Sequence, residues 1–167
     1  MKKISLILLV SLLIAGNVLA QGTSPVKVNK LTVTPSSFKA GDVLTFTIEI
    51  QNTSRNTYGC VGGPYFKVYL YVFNAERLHV DNLLWKTEQT LTSPLAPGEK
   101  RTITFSSKWT VPKICPEKIV FVGWGPVCAP DEFSQMAKII FNQTCLYGTI
   151  KVPPLVTETI RIKDLIK

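Results

Sequence analysis

Between residues 95 and 112 the chain reads LAPGEKRTITFSSKWTVP, a Pro-Gly turn that feeds directly into an alternating segment. Pro97 pre-sets the turn, and Gly98 supplies the positive φ that a tight reversal requires. Beyond it Ile103, Phe105 and Trp109 share one parity, while Thr102, Thr104, Ser106 and Lys108 take the other. Successive side chains of a strand point to opposite faces, so this pattern predicts one buried face and one wet face. The neighbouring segments read as partners for it.

Taken in order, residues 31–35 (LTVTP) form a short first strand stopped by Pro35, and 36–42 (SSFKAGD) a turn ending in Gly41-Asp42. In Val43 to Asn52, Leu44, Phe46, Ile48 and Ile50 face inward, and Thr45, Thr47, Glu49 and Gln51 face outward. Residues 52–64 (NTSRNTYGCVGGP) are a long loop containing Tyr58. It is either a plain connection tied down by Cys60 or a binding loop carried by a rigid scaffold.

Residues 65–73 (YFKVYLYVF) are apolar on both parities. Such a strand is covered on both sides; the alternative is an exposed stripe of Tyr65, Tyr69, Tyr71 and Phe73 that stacks on sugar rings or receives a partner. A turn holding His79 follows, and then an edge strand, 83–91, with Trp85 half-buried. Residues 118–127 form another strand, bent by Gly123, Gly125 and Pro126. Asp131 is placed to cap a single helical turn over 131–138. Residues 138–141 and 148–152 read as two short strands, and Pro153-Pro154 ends the sheet. The tail, 155–167, alternates in part, through Val156, Ile160 and Ile162. It is either a further strand or a segment offered to a neighbouring subunit. Seven to nine short strands separated by turn chemistry predict an all-β sandwich over residues 30–154, preceded by a flexible lead-in at 21–29.

The first twenty residues are of another kind. A basic start (Lys2, Lys3), an apolar run over 4–15 and a Val18-Leu19-Ala20 ending predict a secretory signal peptide cleaved before Gln21. The run is interrupted by Ser5, Ser11, Gly16 and Asn17, short of the ~20 apolar residues of a membrane span. The protein is therefore expected to be secreted or on the cell surface, with no transmembrane segment after cleavage. The formal charge of +8 loses the two signal-peptide lysines on cleavage. The remaining Lys and Arg are scattered, without a basic run, which argues against nucleic acid as a partner. They suit either solvated strand faces or an anionic polymer. Four cysteines (Cys60, Cys115, Cys128, Cys145) in an exported chain predict two disulfides. A zinc site needs closer pairs and more than one His, so no metal is expected.

No catalytic residue and no cofactor are expected. His79 lies in a turn beside Leu78 and Val80 without a nearby Ser, Cys, Asp pair or second His, and Asp131-Glu132 are adjacent rather than set across a cleft. Gly62-Gly63 lacks the Lys and helix of a phosphate loop. Asn52-Thr53-Ser54 and Asn142-Gln143-Thr144 fit the N-glycosylation pattern.

Leu31-Thr-Val-Thr-Pro-Ser, Ala40-Gly41-Asp42-Val43, Phe46 through Asn52, and Leu95-Ala-Pro-Gly-Glu99 through Phe105 to Trp109-Thr-Val-Pro112 resemble a CARDB-type domain over about residues 31–127. This family comprises immunoglobulin-like modules of bacteria and archaea, named for their relation to cell adhesion. The resemblance implies a seven-stranded Greek-key sandwich used in extracellular adhesion, surface display or substrate attachment, without catalysis. The chain departs from the family after Val127, where a region with two cysteines is inserted before the last strand. In an immunoglobulin-like sandwich Cys60 and Cys128 lie at one pole. Cys115 lies at the other, where Cys145 returns if 138–141 runs back beside the 118–127 strand. Cys60–Cys128 and Cys115–Cys145 are the pairing this path favours among three connectivities that sequence alone leaves open.

A fainter likeness is to proteinase inhibitors of the BsuPI type, which would act through loops such as 52–64. The leading expectation is a non-enzymatic module in adhesion or extracellular assembly, meeting a protein or glycan on a cell surface. Alternatives are an appendage subunit joined by strand donation through 155–167, a secreted proteinase inhibitor, and a carbohydrate-binding module using Tyr65, Tyr69, Tyr71 and Phe73.

Overall fold

The computed structural model describes residues 24–60, 66–114, 118–128, 133–141, 150–151 and 156–161. Among these, the strands are β1 (Val26–Thr34), β2 (Ser37–Phe38), β3 (Val43–Asn52), β4 (Phe66–Phe73), β5 (Leu83–Leu91), β6 (Lys100–Thr104), β7 (Trp109–Thr110), β8 (Ile119–Val127), β9 (Phe133–Phe141), β10 (Ile150–Lys151) and β11 (Val156–Arg161). One antiparallel sheet has the order β1-β3-β6, with β7 also on β3; the other has β11-β9-β8-β4-β5. β10 pairs with β2 in a small separate ladder. The chain passes between the sheets after β3, after β5 and after β7, the Greek-key path of the expected immunoglobulin-like sandwich. The signal sequence 1–20, Tyr65, Cys115, Asn142 and Cys145 lie outside the described residues.

The alternation read in β3 survives intact: Leu44, Phe46, Ile48 and Ile50 are all buried. From the facing sheet come Phe66, Val68, Leu70, Val72, Ile119, Phe121, Ala137 and Ile139. Phe121 sits at the centre of an aromatic cluster, 5.3 Å from Phe46, 5.7 Å from Trp109 and 6.2 Å from Phe38 by ring centroids. Gly123 faces the same core. A Cβ there would stand 3.2 Å from Ile48 Cδ1 and 3.3 Å from Leu31 Cδ1, so glycine lets the two layers approach. The turn before β6 is as expected: Glu99 N–H donates to Ala96 O at 3.0 Å and Gly98 has φ 76°, with Pro97 in the second position.

Several expectations are corrected. The first strand begins at Val26, not Leu31, so residues 26–29 of the expected lead-in belong to the sheet, with Val26 and Val28 in the core. A bulge at Asn29 breaks the parity between Val26/Val28 and Leu31/Val33, which hides their continuity in sequence. The 101–112 strand is two strands. β3 advances three residues, Thr47 to Leu44, while the opposing chain uses five, Thr104 to Trp109, so part of the 105–108 stretch loops out. Phe38, assigned to a turn, is a buried strand residue.

Residues 133–138 are extended, not helical, and form the first part of β9. Met136 faces one side of the sheet while Ala137 and Ile139 face the other, and burial on both faces overrides their helical propensity. Val156–Arg161, the strand half of the expected tail, pairs with β9 of the same chain over its whole length. It is a strand of the domain, so the sandwich runs past residue 154 and this stretch is used internally rather than held out for donation.

Candidate functional site

The pole of the sandwich at the end of β3 is built around Asn52. This residue closes an apolar alternating strand and is followed by a polar loop, so its side chain is drawn inward at the point where backbone groups leave the ladder. It is 0% exposed. Its Nδ2 donates to Asn56 O (2.8 Å) and Leu95 O (3.0 Å), and its Oδ1 accepts from Ser54 N (3.0 Å) and Ser54 Oγ (2.7 Å). Its backbone N–H donates to Glu99 O, and its carbonyl accepts from Gly98 N. One side chain thus joins the loop after β3 to the turn before β6. The enclosure of Nδ2 is incompatible with the glycan that the Asn52-Thr53-Ser54 triplet suggested.

Tyr58 continues the same seam. Its backbone exchanges two hydrogen bonds with Leu95, at 2.8 and 2.9 Å, and its ring packs edge-on against Phe66 at 5.7 Å. At 8% exposure it belongs to the core rather than to a contact surface. Two residues on, Cys60 is bonded to Cys128 at the end of β8, 68 positions away, which is the pairing expected from the strand path. The described part of the 52–64 loop is therefore wired to the body at three points: Asn52, Tyr58 and Cys60.

The 93–101 turn has its own clamp. Arg101 donates to Ser93 O (2.8 Å), Pro94 O (2.9 Å) and Glu99 Oε1, while Glu99 Oε2 accepts from Ala96 N at 2.8 Å. The Ala96 amide, and after it the Arg101 guanidinium, hold the Glu99 carboxyl below its ordinary value of 4.5. A depressed folded-state value stabilises the fold fully above the unfolded pKa, and that contribution is lost as pH falls through the folded one. Urea midpoints should therefore drop as pH falls below about 4.5, and Glu99→Gln should flatten part of that drop. Only part will go, because Lys118 lowers the Glu76 carboxyl in the same direction. Identical pH profiles for the variant and the parent would show that the clamp does not contribute.

The outer face of the five-stranded sheet is the other notable surface. In β4, Tyr69, Tyr71 and Phe73 point away from the first core, and opposite them in β8 stand Trp124, Val122 and Val120. Tyr71 is stacked between Trp124 (4.8 Å, 23°) and Phe73 (6.0 Å, 11°). Tyr71 is 9% exposed, Trp124 4% and Phe73 0%; with Val120, Val122 and Met136 they make a second buried cluster, flanked by Leu78, Leu83 and Ile140. This settles the ambiguity of the 65–73 segment: it is covered on both sides, and of its described aromatic residues only Tyr69 keeps appreciable surface. Burial pushes the Tyr71 hydroxyl up to about 12 and raises that of Tyr69. Trp124 was not singled out from sequence, although it shares parity with Val120 and Val122. Its buried Nε1–H finds no acceptor among the described residues.

His79 caps the 3-10 turn Val80–Asn82: its Nδ1 accepts from Asp81 N at 3.3 Å and lies 3.1 Å from Asp81 Oδ2. Among the described residues no three His, Cys, Asp or Glu side chains converge as a metal-binding group, and no helix is long and apolar enough to cross a membrane. No family model matches the chain, and neither does any curated protein.

Proposed function

We propose that this protein is an extracellular, non-enzymatic binding or structural module that acts by surface contact in adhesion or in an extracellular assembly. The observation that carries the reading is the Cys60–Cys128 bridge, which ties the loop leaving one sheet to the last strand residues of the other. Cys128 is exposed, so a reducing compartment would have access to the bond, and such bonds persist in oxidising surroundings. The signal-like first twenty residues and the resemblance to CARDB-type domains over residues 31–127 favour the same setting. The motif residues that carry this resemblance, among them Gly41, Asn52 and Pro97-Gly98-Glu99, are spent on turns and strand ends, as suits a scaffold that presents a surface.

The test is made on cells that express the protein. Membrane-impermeant labelling should find it outside the cell or on its surface, with Cys60 and Cys128 unreactive to alkylation until a reductant is added. Deleting its gene should weaken attachment of the cells to a surface or to each other. Recovery from the cytosol with both thiols alkylated would refute the reading.

A further inference from the structure

β5 is the last strand of its sheet: one edge pairs with β4, and among the described residues no strand pairs with the other. A free edge offers a row of N–H and C=O groups to another chain, and folded proteins commonly guard it with bulges, short strands or cover. The edges of the other sheet carry such guards, and β11, at the far side of the same sheet, has only six residues. β1 has its bulge at Asn29, and Gln135 Oε1 accepts the Val28 N–H from across the sandwich. β6 has only five residues and gives way to the looped-out stretch. β5 has a bulge at its start, between its pairings Phe73↔Leu83 and Val72↔Trp85, but from Trp85 to Leu91 its register on β4 is unbroken and it holds neither Pro nor Gly.

We propose that this edge pairs with itself: two copies of the chain join antiparallel, β5 against β5, about a two-fold axis at Thr87, making one continuous sheet. A two-fold axis perpendicular to the sheet keeps each face on its own side. Residues equally far before and after the axis therefore stand opposite one another. On the outer face Lys86 then meets Glu88 of the second copy, and Glu88 meets the second copy's Lys86. Both side chains are exposed on that face in the single chain. On the inner face Thr87 meets Thr87, a pairing that suits cross-strand contact. Centring the axis on Lys86 or on Glu88 instead would set like charges directly opposite, which is destabilising. Within one chain Lys67 Nζ already lies 2.5 Å from Glu88 Oε1, so in the dimer the carboxylate sits between two lysines, one from each copy. Of the axes along β5, only the one at Thr87 sets Lys86 against Glu88, and the inference is independent of where the protein works.

Sedimentation of the purified, disulfide-bonded chain over a range of concentrations tests it. The expected result is a species of twice the chain mass. Lys86→Glu and Glu88→Lys, each alone, replace both attractive pairs by repulsive ones and should raise the dissociation constant on the order of tenfold or more. An equimolar mixture of the two variants should form heterodimers, and the Lys86→Glu/Glu88→Lys double variant should recover self-association. Circular dichroism of each variant checks that the sandwich is intact. A wild type that stays at single-chain mass throughout, or single variants that associate as tightly as wild type, would overturn the proposal.

Discussion

Replacing Cys60 and Cys128 together by serine is expected to lower folding stability by about 4 kcal/mol, since the bridge closes a loop of 68 residues and loop-closure entropy grows with the logarithm of that number. The loss falls mainly on the unfolded chain, which gains conformations the crosslink forbade. The folded chain should change little, because β3, β4 and β8 remain joined through the core and their ladders. Against the roughly 5–15 kcal/mol that separates folded from unfolded forms in ordinary domains, this is a large fraction. The check is urea denaturation of oxidised wild type, reduced wild type and the double variant. The oxidised double variant should have a midpoint well below that of oxidised wild type, and reduced wild type, which loses any Cys115–Cys145 bond as well, should lie at or below the variant. A shift corresponding to less than about 1 kcal/mol would mean that the unfolded chain is already held together without the bridge.

Asn52→Ala should cost about 3 kcal/mol, an unusually large effect for a polar residue at the end of a strand. The substitution removes four side-chain hydrogen bonds in a site closed to water, each worth roughly 1 kcal/mol net, and leaves a small void. Two partners keep or find other bonds: Leu95 O still receives Tyr58 N–H, and the Ser54 hydroxyl, released from Asn52 Oδ1, can donate its one hydrogen to Asn56 O, 2.8 Å away. The loss therefore stays below the cost of fully orphaned carbonyls. Asn52→Asp provides the sharper comparison. It has the same shape, but sets a carboxylate oxygen where the amide donated to two carbonyls, so at neutral pH it should be at least as destabilising as alanine. Ser54→Ala, which removes only the hydroxyl's bonds, should cost about 1 kcal/mol. If Asn52→Ala melts within a degree or so of wild type, the loop and the turn are organised by something other than this amide.

The dimer and these two stability effects can be separated experimentally. Lys86 and Glu88 lie on the exposed face of an edge strand, and neither takes part in the Asn52 network or the disulfide. Charge reversal there should weaken association and, at protein concentrations where the chain is a monomer, leave urea midpoints nearly unchanged, because exposed ion pairs contribute little to folding. The cysteine and Asn52 variants should do the reverse.

Much of the architecture is written locally. The alternation of Leu44, Phe46, Ile48 and Ile50, and the Pro97-Gly98 turn with its positive φ, depend on side-chain period and backbone sterics that act over a few residues. The double-sided apolar character of 66–73 is equally local; it favoured cover on both faces and left an exposed aromatic stripe open. The Cys60–Cys128 pairing followed once the strand path was assumed. Other features have no local signature. The bulge at Asn29 conceals that Val26 and Leu31 belong to one strand, since parity is defined only against the partner β3. The first part of β9 reads as a helical turn until Met136 and Ala137 are seen to be buried on opposite faces of a sheet. Asn52 looks like a glycan acceptor until Leu95, 43 positions away, takes its amide. Residues 156–161 can be assigned as a strand of this domain only because β9 lies beside them. Periodicity and turn chemistry are properties of neighbouring residues, so the amino-acid order alone determined β3, β4 and the Pro97-Gly98 reversal and that the strands stack in two layers. Which edge stays free, which second face is enclosed and which buried amide holds the pole together depend on groups brought together from distant parts of the chain, and only the folded arrangement decided them.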